Sequence, residues 1–378
     1  MQFPRTLLLL AILFALLTGG GVAQSNKKLD PDAGYIPVVA PEDKSKKKKK
    51  GDEITQALAA PPELPAAVTA ETDRLVYQVT PLSSKGLLSQ QTRDALKALL
   101  KSNRGPIVKL RAFVAGSGDL RRIGEIAGEM FLEKHLALPA LSVAQVGALP
   151  LEGAQVVIEA TEVDRKVVNP AGVAFLSGQP AASVGESIEK LKSVLAGAGM
   201  QADDALAVTC FVSSLDDQRD TQRAMAASFP SAALNYVQMQ RSPVTPASDC
   251  EAVARLRTAP ATAVSFVRNA QAALVASPQV VLTGTQLAFG NQDSDFKLAF
   301  ERLEKTLAAA KTSFAHVVRA HLYVTASGLS SRVLSIQSAQ SGAGTPAATL
   351  VPIESLPSLD AQFGIDVIAV PESAGARP

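Results

Sequence analysis

The chain has 378 residues, a formal net charge of +2, and 47% hydrophobic residues. This length suits two or three domains at about 150 residues each. Aromatic residues make up only 4% and Trp is absent, so Ala, Leu and Val must form most of the core. Nucleic-acid-binding proteins normally carry a clustered basic face with interleaved aromatic residues. The segments with a folding pattern have neither, so we expect no nucleic-acid partner.

Residues 1–24 have the features of a secretory signal peptide. Arg5 supplies a positive start, residues 6–17 form an apolar stretch, and small residues follow at 19–23. The apolar stretch is too short to favour a membrane-spanning helix, and an uncleaved anchor is the alternative. We therefore expect an exported protein, periplasmic or extracellular, with no transmembrane span after cleavage.

Two further segments are predicted to be disordered. Residues 25–72 are rich in Lys, Pro and Ala and contain five consecutive lysines at 46–50. Such a run repels itself and stays solvated, which favours a simple spacer. The alternative is a tether to an anionic surface, where each charge contributes about 1 kcal/mol. Residues 371–378 are predicted to be a disordered tail.

The remainder repeats one pattern three times: an apolar strand, an amphipathic helix and a second apolar strand. A repeat of this kind decides the fold. We call the repeats units 1, 2 and 3, and a polar, Ala-rich joint at 257–271 separates the last two. The units span residues 73–165, 166–256 and 272–370.

Each unit is predicted to have the order β-β-α-β-α-β-β. The first helix of unit 2, for example, has a Ser183 and Glu186 pair at capping-box spacing. This order is typical of an α+β fold with helices on one face of a mixed sheet. The other face stays apolar, and closed threefold association buries three such faces together. Repetition places all three faces on one chain.

Several segments resemble the RidA/YjgF family of small enamine/imine deaminases. They are residues 139–150, 156–160, 177–179 (Ser-Gly-Gln), 215–217 and 365–370. The resemblance covers nearly all of residues 73–370. It implies a chorismate-mutase-like fold, normally a homotrimer with ligand pockets in the clefts between subunits. We therefore expect an intramolecular pseudotrimer that behaves as a monomer.

The resemblance also implies that the usual substrate grip is missing. Deaminating members hold the substrate carboxylate with an Arg in a Pro-Ala-Arg-Ser segment, and a guanidinium suits that task because it bonds bidentately. The cognate positions here are Leu141, Leu234 and Ala348, which cannot bind an anion. Arg241 lies a few residues beyond Leu234. We expect ordinary 2-imino acid deamination to be lost, and no buried arginine to line a cleft between units.

One family acid and part of the Ser-Gly-Gln segment survive. The acid that helps to activate water has the cognates Val157, Asp249 and Gly364. Asp249 is therefore the single weak catalytic candidate, and its alternative role is that of a turn or edge residue. The candidate ligand-binding residues are Ser177, Gln179, Thr285, Arg111 and His321.

Arg111, Thr209 and His321 occupy one equivalent strand position in the three units. If that position faces a cleft, Arg111 and His321 form a new polar site. Otherwise they are sheet residues with local partners, which is the favoured interpretation. Cys210 and Cys250 both lie in apolar strand-like runs. Buried free cysteines are favoured over a disulfide, and no metal-ligand spacing or cofactor motif is present.

The preferred hypothesis is an exported, catalytically degenerate RidA-like pseudotrimer. It would bind a small metabolite, or an envelope protein partner, in a cleft between units. The alternative is an enamine/imine deaminase that hydrolyses 2-imino acids at one surviving cleft containing Ser177 or Asp249. A third possibility is a structural envelope protein tethered by its lysine run.

Overall fold

The computed structural model describes residues 62–240, 247–267, 271–341 and 346–372. The predicted signal peptide, the linker as far as residue 61, most of the tail and Arg241 lie outside these residues. The described residues belong to one compact unit.

The helices and strands follow the predicted repeat. Strand β1 Ala67–Glu71 precedes unit 1, which contains β2 Leu75–Val79, α1 Leu88–Ser102, β3 Ile107–Ala115, α2 Arg121–Glu133, β4 Ala140–Val146 and β5 Val156–Val163. Unit 2 contains β6 Val173–Ala181, α3 Val184–Gly197, β7 Ala205–Val212, α4 Gln218–Ser228, β8 Ala233–Gln238 and β9 Ser248–Arg255. Next come β10 Val264–Val267, β11 Ala272–Val275, β12 Gln279–Thr283, β13 Gln286–Phe289, α5 Asp293–Ala309, β14 Val317–Val324, α6 Ser330–Ser341, β15 Ala347–Pro352 and β16 Ala361–Ala369.

These elements confirm the α+β class. Unit 3 shows the order β-β-α-β-α-β-β, with its second strand interrupted between β12 and β13, and unit 1 shows the same order when β1 ahead of it is counted. Within the described part of unit 2, only β6 precedes the first helix. That helix begins as predicted, because the Ser183 hydroxyl accepts a hydrogen bond from the backbone N–H of Glu186.

The three sheets share one topology. In unit 1 the strand order is β2-β5-β3-β4, with β3 and β4 parallel and the other pairs antiparallel. Units 2 and 3 repeat it with β6-β9-β7-β8 and β12-β16-β14-β15. The shared register confirms the predicted equivalence of one strand position. The corresponding pairs are Arg111 with Glu159, Thr209 with Glu251, and His321 with Asp366.

The segment ahead of each unit crosses to a neighbouring unit. Strand β1 pairs with β12 of unit 3, and β11 pairs with β6 of unit 2. The short segment ahead of β6 bonds to unit 1, where the Asn169 side-chain amide donates to the Leu75 carbonyl (2.8 Å). Each leading segment therefore joins the preceding unit, and unit 3 precedes unit 1 in this cycle.

This exchange corrects two boundaries. Residues 67–71 were expected in the linker and form β1, whereas residues 264–267 were expected in the joint and form β10. Both segments are short and carry no turn or helix signal of their own. An adjacent sheet edge stabilises them by offering unpaired backbone groups, and local composition does not reveal such an edge.

Each unit has its own core between helices and sheet. The opposite sheet faces meet in two clusters shared by all three units. One contains Phe113, Phe211 and Tyr323, and the other contains Val108 and Val318 together with residues of unit 2. The predicted burial of three sheet faces against one another is therefore observed, and the units are not separate lobes.

Cys210 and Cys250 form a disulfide between β7 and β9, with Cα atoms 4.1 Å apart. The favoured interpretation of two free cysteines was wrong. The two residues stand directly opposite each other in the antiparallel register, and a sequence separation of 40 residues does not reveal such a register. Among the described residues, no helix has both the length and the apolar character needed to cross a membrane.

Candidate functional site

A cavity of about 80 Å³ lies where the inner sheet faces of the three units meet. Its wall takes side chains from the central strands β3, β7 and β14 and from their antiparallel neighbours. Arg111, Thr209 and His321 are the equivalent residues of these central strands. The position two residues before them is Lys109 in unit 1 and Arg319 in unit 3, but Ala207 in unit 2. The short side chain of Ala207 leaves space on the unit 2 side.

Arg111 connects units 1 and 2 at this cavity. Its Nε donates to Glu159 of the same unit (2.6 Å), and its Nη2 donates to Glu251 of unit 2 (2.7 Å). Glu159 also accepts hydrogen bonds from the Thr209 hydroxyl (2.6 Å) and the Asn235 amide (2.7 Å) of unit 2. Arg111 is only 8% exposed, so these charges are paired away from water.

Glu251 connects unit 2 with unit 3. Its Oε2 lies 2.8 Å from Nη2 of Arg319, which is 3% exposed. Its Oε1 lies 3.3 Å from Nε2 of His321. Burial alone would raise the pKa of Glu251, but the adjacent Arg319 and Arg111 outweigh it and hold the pKa well below its usual range. Glu251 therefore stays ionised across the physiological range.

Asp366 closes the ring between units 3 and 1. It lies 2.9 Å from Nδ1 of His321 and accepts a hydrogen bond from the Ser142 hydroxyl of unit 1 (2.6 Å). Arg319 Nε donates to His321 Nε2 (3.0 Å), so His321 donates to Asp366 through Nδ1. The Lys109 ammonium lies 3.9 Å from Asp366. Burial lowers the pKa of Lys109 to about 8, against the opposing effect of Asp366.

We call this set of charged side chains the central polar layer. Among the residues described around the cavity, three cations face three carboxylates. The cations are Lys109, Arg111 and Arg319, and the carboxylates are Glu159, Glu251 and Asp366. The layer lies between the two shared apolar clusters along β3, so its electrostatic interactions are stronger than in water.

The central polar layer overturns one prediction. We expected no buried arginine between units, yet Arg111 and Arg319 are both buried there. That expectation was based only on Leu141, Leu234 and Ala348, the positions cognate to the family's substrate-binding arginine. The cations instead stand on β3 and β14, where the register supplies carboxylate partners. Arg111 and His321 do come together, since both lie next to Oε1 of Glu251; their binding role remains a prediction.

Three other predicted residues gather at the seam between units 2 and 3. Ser177 donates to the Gln271 carbonyl (3.1 Å), and the Gln179 amide donates to the Ser177 carbonyl (3.0 Å). Asp249 lies beside Gly178 of β6. A Cβ atom added at Gly178 would stand 2.3 Å from Oδ1 of Asp249. A larger residue at position 178 would therefore displace the Asp249 carboxylate.

Asp249 has an unusual environment. Within the described part of the chain, its buried Oδ1 has no hydrogen-bond partner. Burial raises the pKa of Asp249 to about 7, and the negative charge of Glu251 adds to this effect. Asp249 can therefore exchange a proton near neutral pH.

Thr285 lies on a different seam, between units 3 and 1. Its backbone N–H donates to the Leu141 carbonyl (3.2 Å), so backbone groups are in direct contact there. The side chains of Leu141, Leu234 and Ala348 pack against the helix-facing cores of their own units. No cation occupies any of these three family positions.

Residues 255–371 match the model of a family described as endoribonuclease L-PSP. The chain carries a RidA/YjgF-family domain in its third unit. Units 1 and 2 repeat the sheet topology of this RidA/YjgF domain.

Solved structures of RidA/YjgF proteins match part of the chain. A YjgF-family member from Neisseria meningitidis is 19% identical, with 27% of this chain and 86% of that chain covered and a TM-score of 0.24. A YjgF-family member from Mycobacterium tuberculosis is 23% identical, with 24% of this chain and 78% of that chain covered and a TM-score of 0.23. A Rid-family protein of unknown function from Yersinia pestis is 22% identical, with 24% of this chain and 79% of that chain covered and a TM-score of 0.23. No curated protein matches the chain in sequence.

Proposed function

We propose that this is an exported RidA-like protein that binds a small metabolite between its units and has lost the deaminase activity of the family. The observation that carries the proposal is that Leu141, Leu234 and Ala348 stand at the positions where the family resemblance implies a substrate-gripping arginine. A bidentate guanidinium contact with a carboxylate is strong and geometrically specific. Its loss at every equivalent cleft removes the usual means of orienting a 2-imino acid.

The central polar layer supports binding between units. It brings Arg111 of unit 1, Glu251 of unit 2 and Arg319 of unit 3 to one cavity. Concave sites with a few convergent polar groups are the usual locations of small ligands. An envelope protein that docks over an inter-unit seam is the other partner consistent with the proposal.

Export is supported by two features. The leader pattern at residues 1–24 is that of a secreted chain, and the Cys210–Cys250 disulfide suits an oxidising compartment. Deleting residues 2–24 should retain the protein in the cytoplasm, as measured by cell fractionation against the full chain. Equal export of both forms would contradict this part of the proposal.

A deaminase assay tests the main claim. The purified protein is mixed with 2-aminoacrylate, and keto-acid release is followed against the uncatalysed reaction. We expect no rate above the uncatalysed one. Turnover that is abolished in an Asp249→Asn variant would overturn the proposal.

The deaminase alternative has one specific observation in its favour. Asp249 has a pKa of about 7, and a general acid or base works best near the operating pH. It lies beside Ser177 and Gln179 at one seam. If this seam were catalytic, the rate would follow the ionisation of Asp249 and fall in Ser177→Ala.

A further inference from the structure

We infer that unit 2 carries a binding site for a short aliphatic amino alcohol, with the Ser248 hydroxyl on its floor and the carboxylates of Asp216 and Asp217 at its rim. The site is a cavity of about 550 Å³ between α3, α4 and one end of the unit 2 sheet. It lies within one unit, so the inference goes beyond the proposed function, which concerns the seams between units.

The cavity lies where the other two units place a large apolar side chain. In each unit a valine near the end of the central strand faces one residue of the neighbouring antiparallel strand. That residue is Val156 in unit 1, Ser248 in unit 2 and Phe363 in unit 3. Val156 and Phe363 belong to the helix-side cores of their units, and the Phe363 ring lies 5.6 Å from that of Phe296. Ser248 points to the same side as Cys250, two residues along the strand, but its side chain is too small to fill this space.

The floor of the cavity carries a polar group without a partner. Ser248 is 6% exposed and lines the cavity. In the part of the chain that the structure describes, its hydroxyl takes part in no hydrogen bond, whereas the nearby Ser213 hydroxyl accepts one from the Ala247 backbone N–H (2.9 Å). Leaving a buried hydroxyl unpaired is unfavourable. A hydroxyl group of a ligand in the cavity would supply the missing hydrogen bond.

The rim of the cavity is acidic. Asp216, Asp217 and Asp220 are exposed side chains that line it, and none of the described lining residues is basic. Asp220 is paired with Arg223, whereas Asp216 and Asp217 have no ion-pair partner among the described residues. The first turns of α3 and α4 also line the cavity, and each helix N-terminus adds about half a positive charge. Two unpaired carboxylates therefore leave about one negative charge uncompensated, which matches a single ammonium group.

The remaining lining selects the chemical class. Within the described residues, no group of three or more metal-ligating side chains converges, so these carboxylates are not placed to hold a metal ion. Val184, Val212 and Ala224 supply apolar walls, and a volume of about 550 Å³ is usual for a small-molecule site. An alkyl chain with an ammonium group at one end and a hydroxyl group at the other matches the rim, the walls and the floor.

Titration calorimetry of the full mature protein tests the inference. The probes are linear amino alcohols of three to six carbons, and the alkylamine and the diol of the same length are the reference compounds. We expect an amino alcohol to bind about fivefold more tightly than its alkylamine, the effect of one hydrogen bond. The uncharged diol should bind more weakly than either.

Three variants assign the contacts. Ser248→Val places in unit 2 the residue found in unit 1, and it should bind the amino alcohol and the alkylamine equally. Asp216→Asn combined with Asp217→Asn should weaken both amines about tenfold, the effect of two exposed ion pairs. Glu301→Gln is the matched control, because Glu301 is an exposed carboxylate on α5 of unit 3, and its affinity should be unchanged.

Thermal unfolding of each variant checks that it folds. If Ser248→Val is unfolded, Ser248→Ala removes the hydroxyl without adding bulk and gives the same comparison. Three results would overturn the inference: a diol that binds as tightly as the amines, a preference for the amino alcohol that persists without the Ser248 hydroxyl, or no heat of binding with any probe. The deaminase assay is independent of all three, so failure of this inference is distinguishable from failure of the proposed function.

Discussion

Removal of the Glu251 carboxylate should destabilise the protein strongly. Glu251 is 1% exposed and forms ion pairs with Arg111 at 2.7 Å and Arg319 at 2.8 Å. In Glu251→Ala, Arg111 keeps Glu159 as a partner, but Arg319 loses the one carboxylate it contacts in the described residues. Breaking a buried pair by deleting one partner costs about 3–5 kcal/mol. We expect a loss of unfolding free energy of that size.

Urea unfolding followed by circular dichroism measures this loss, with the pH held at 7. The control is Asp220→Ala, which removes an exposed ion pair with Arg223 within one helix and should cost less than about 1 kcal/mol. A double-mutant cycle between Glu251→Ala and Arg319→Ala isolates the contact between units 2 and 3. We expect a coupling energy of about 1–3 kcal/mol.

A coupling energy near zero would refute this reasoning, because it would mean that units 2 and 3 do not share a buried charge network. A loss in Glu251→Ala no larger than that in Asp220→Ala would have the same meaning. A changed urea dependence without a changed midpoint would instead point to an altered unfolded state.

Three further predictions concern single groups. Replacing both Cys210 and Cys250 by Ala should lower the unfolding free energy by about 4 kcal/mol, the entropic effect for a 40-residue separation, as measured by urea unfolding; an unchanged midpoint would contradict it. The pKa of Asp249 is raised to about 7, so between pH 4 and 7 the folded state binds a proton that the unfolded state has released. The unfolding free energy should therefore fall by about 1–3 kcal/mol from pH 4 to 7, a range that allows for the partial exposure of Asp249. Asp249→Asn should remove that slope. The pKa of Lys109 is lowered to about 8, so stability should rise from pH 8 to 10 relative to Lys109→Met; parallel profiles would argue against its burial.

The repeated order of elements was accessible from the sequence. Apolar periodicity located the helices and the paired inner strands, because each unit carries its own turn and cap signals. Ser183 is an example, since its role depends only on Glu186 three residues later. Local patterns of this kind are preserved in the fold.

The pairing of residues far apart in the chain could not be predicted from the sequence. Arg111 and Lys109 alternate with apolar residues along β3, and such a charge usually indicates a solvated sheet face. They are instead buried, because Glu159 stands opposite in the register and Glu251 arrives from another unit. A single sequence contains no signal for a partner 140 residues away. The same limit explains the missed disulfide.

The pairing of β1, ahead of unit 1, with β12 of unit 3 offers the most direct test that one chain closes a threefold ring. Glu71 of β1 and Gln279 of β12 are directly opposite and both exposed, and facing residues of paired strands lie within reach of a disulfide. A Glu71→Cys and Gln279→Cys double variant should form an intramolecular cross-link on oxidation and migrate faster in a non-reducing gel. Glu71→Cys combined with Glu189→Cys is the mismatched control. Cross-linked dimers, or equal cross-linking in both variants, would contradict the closed ring.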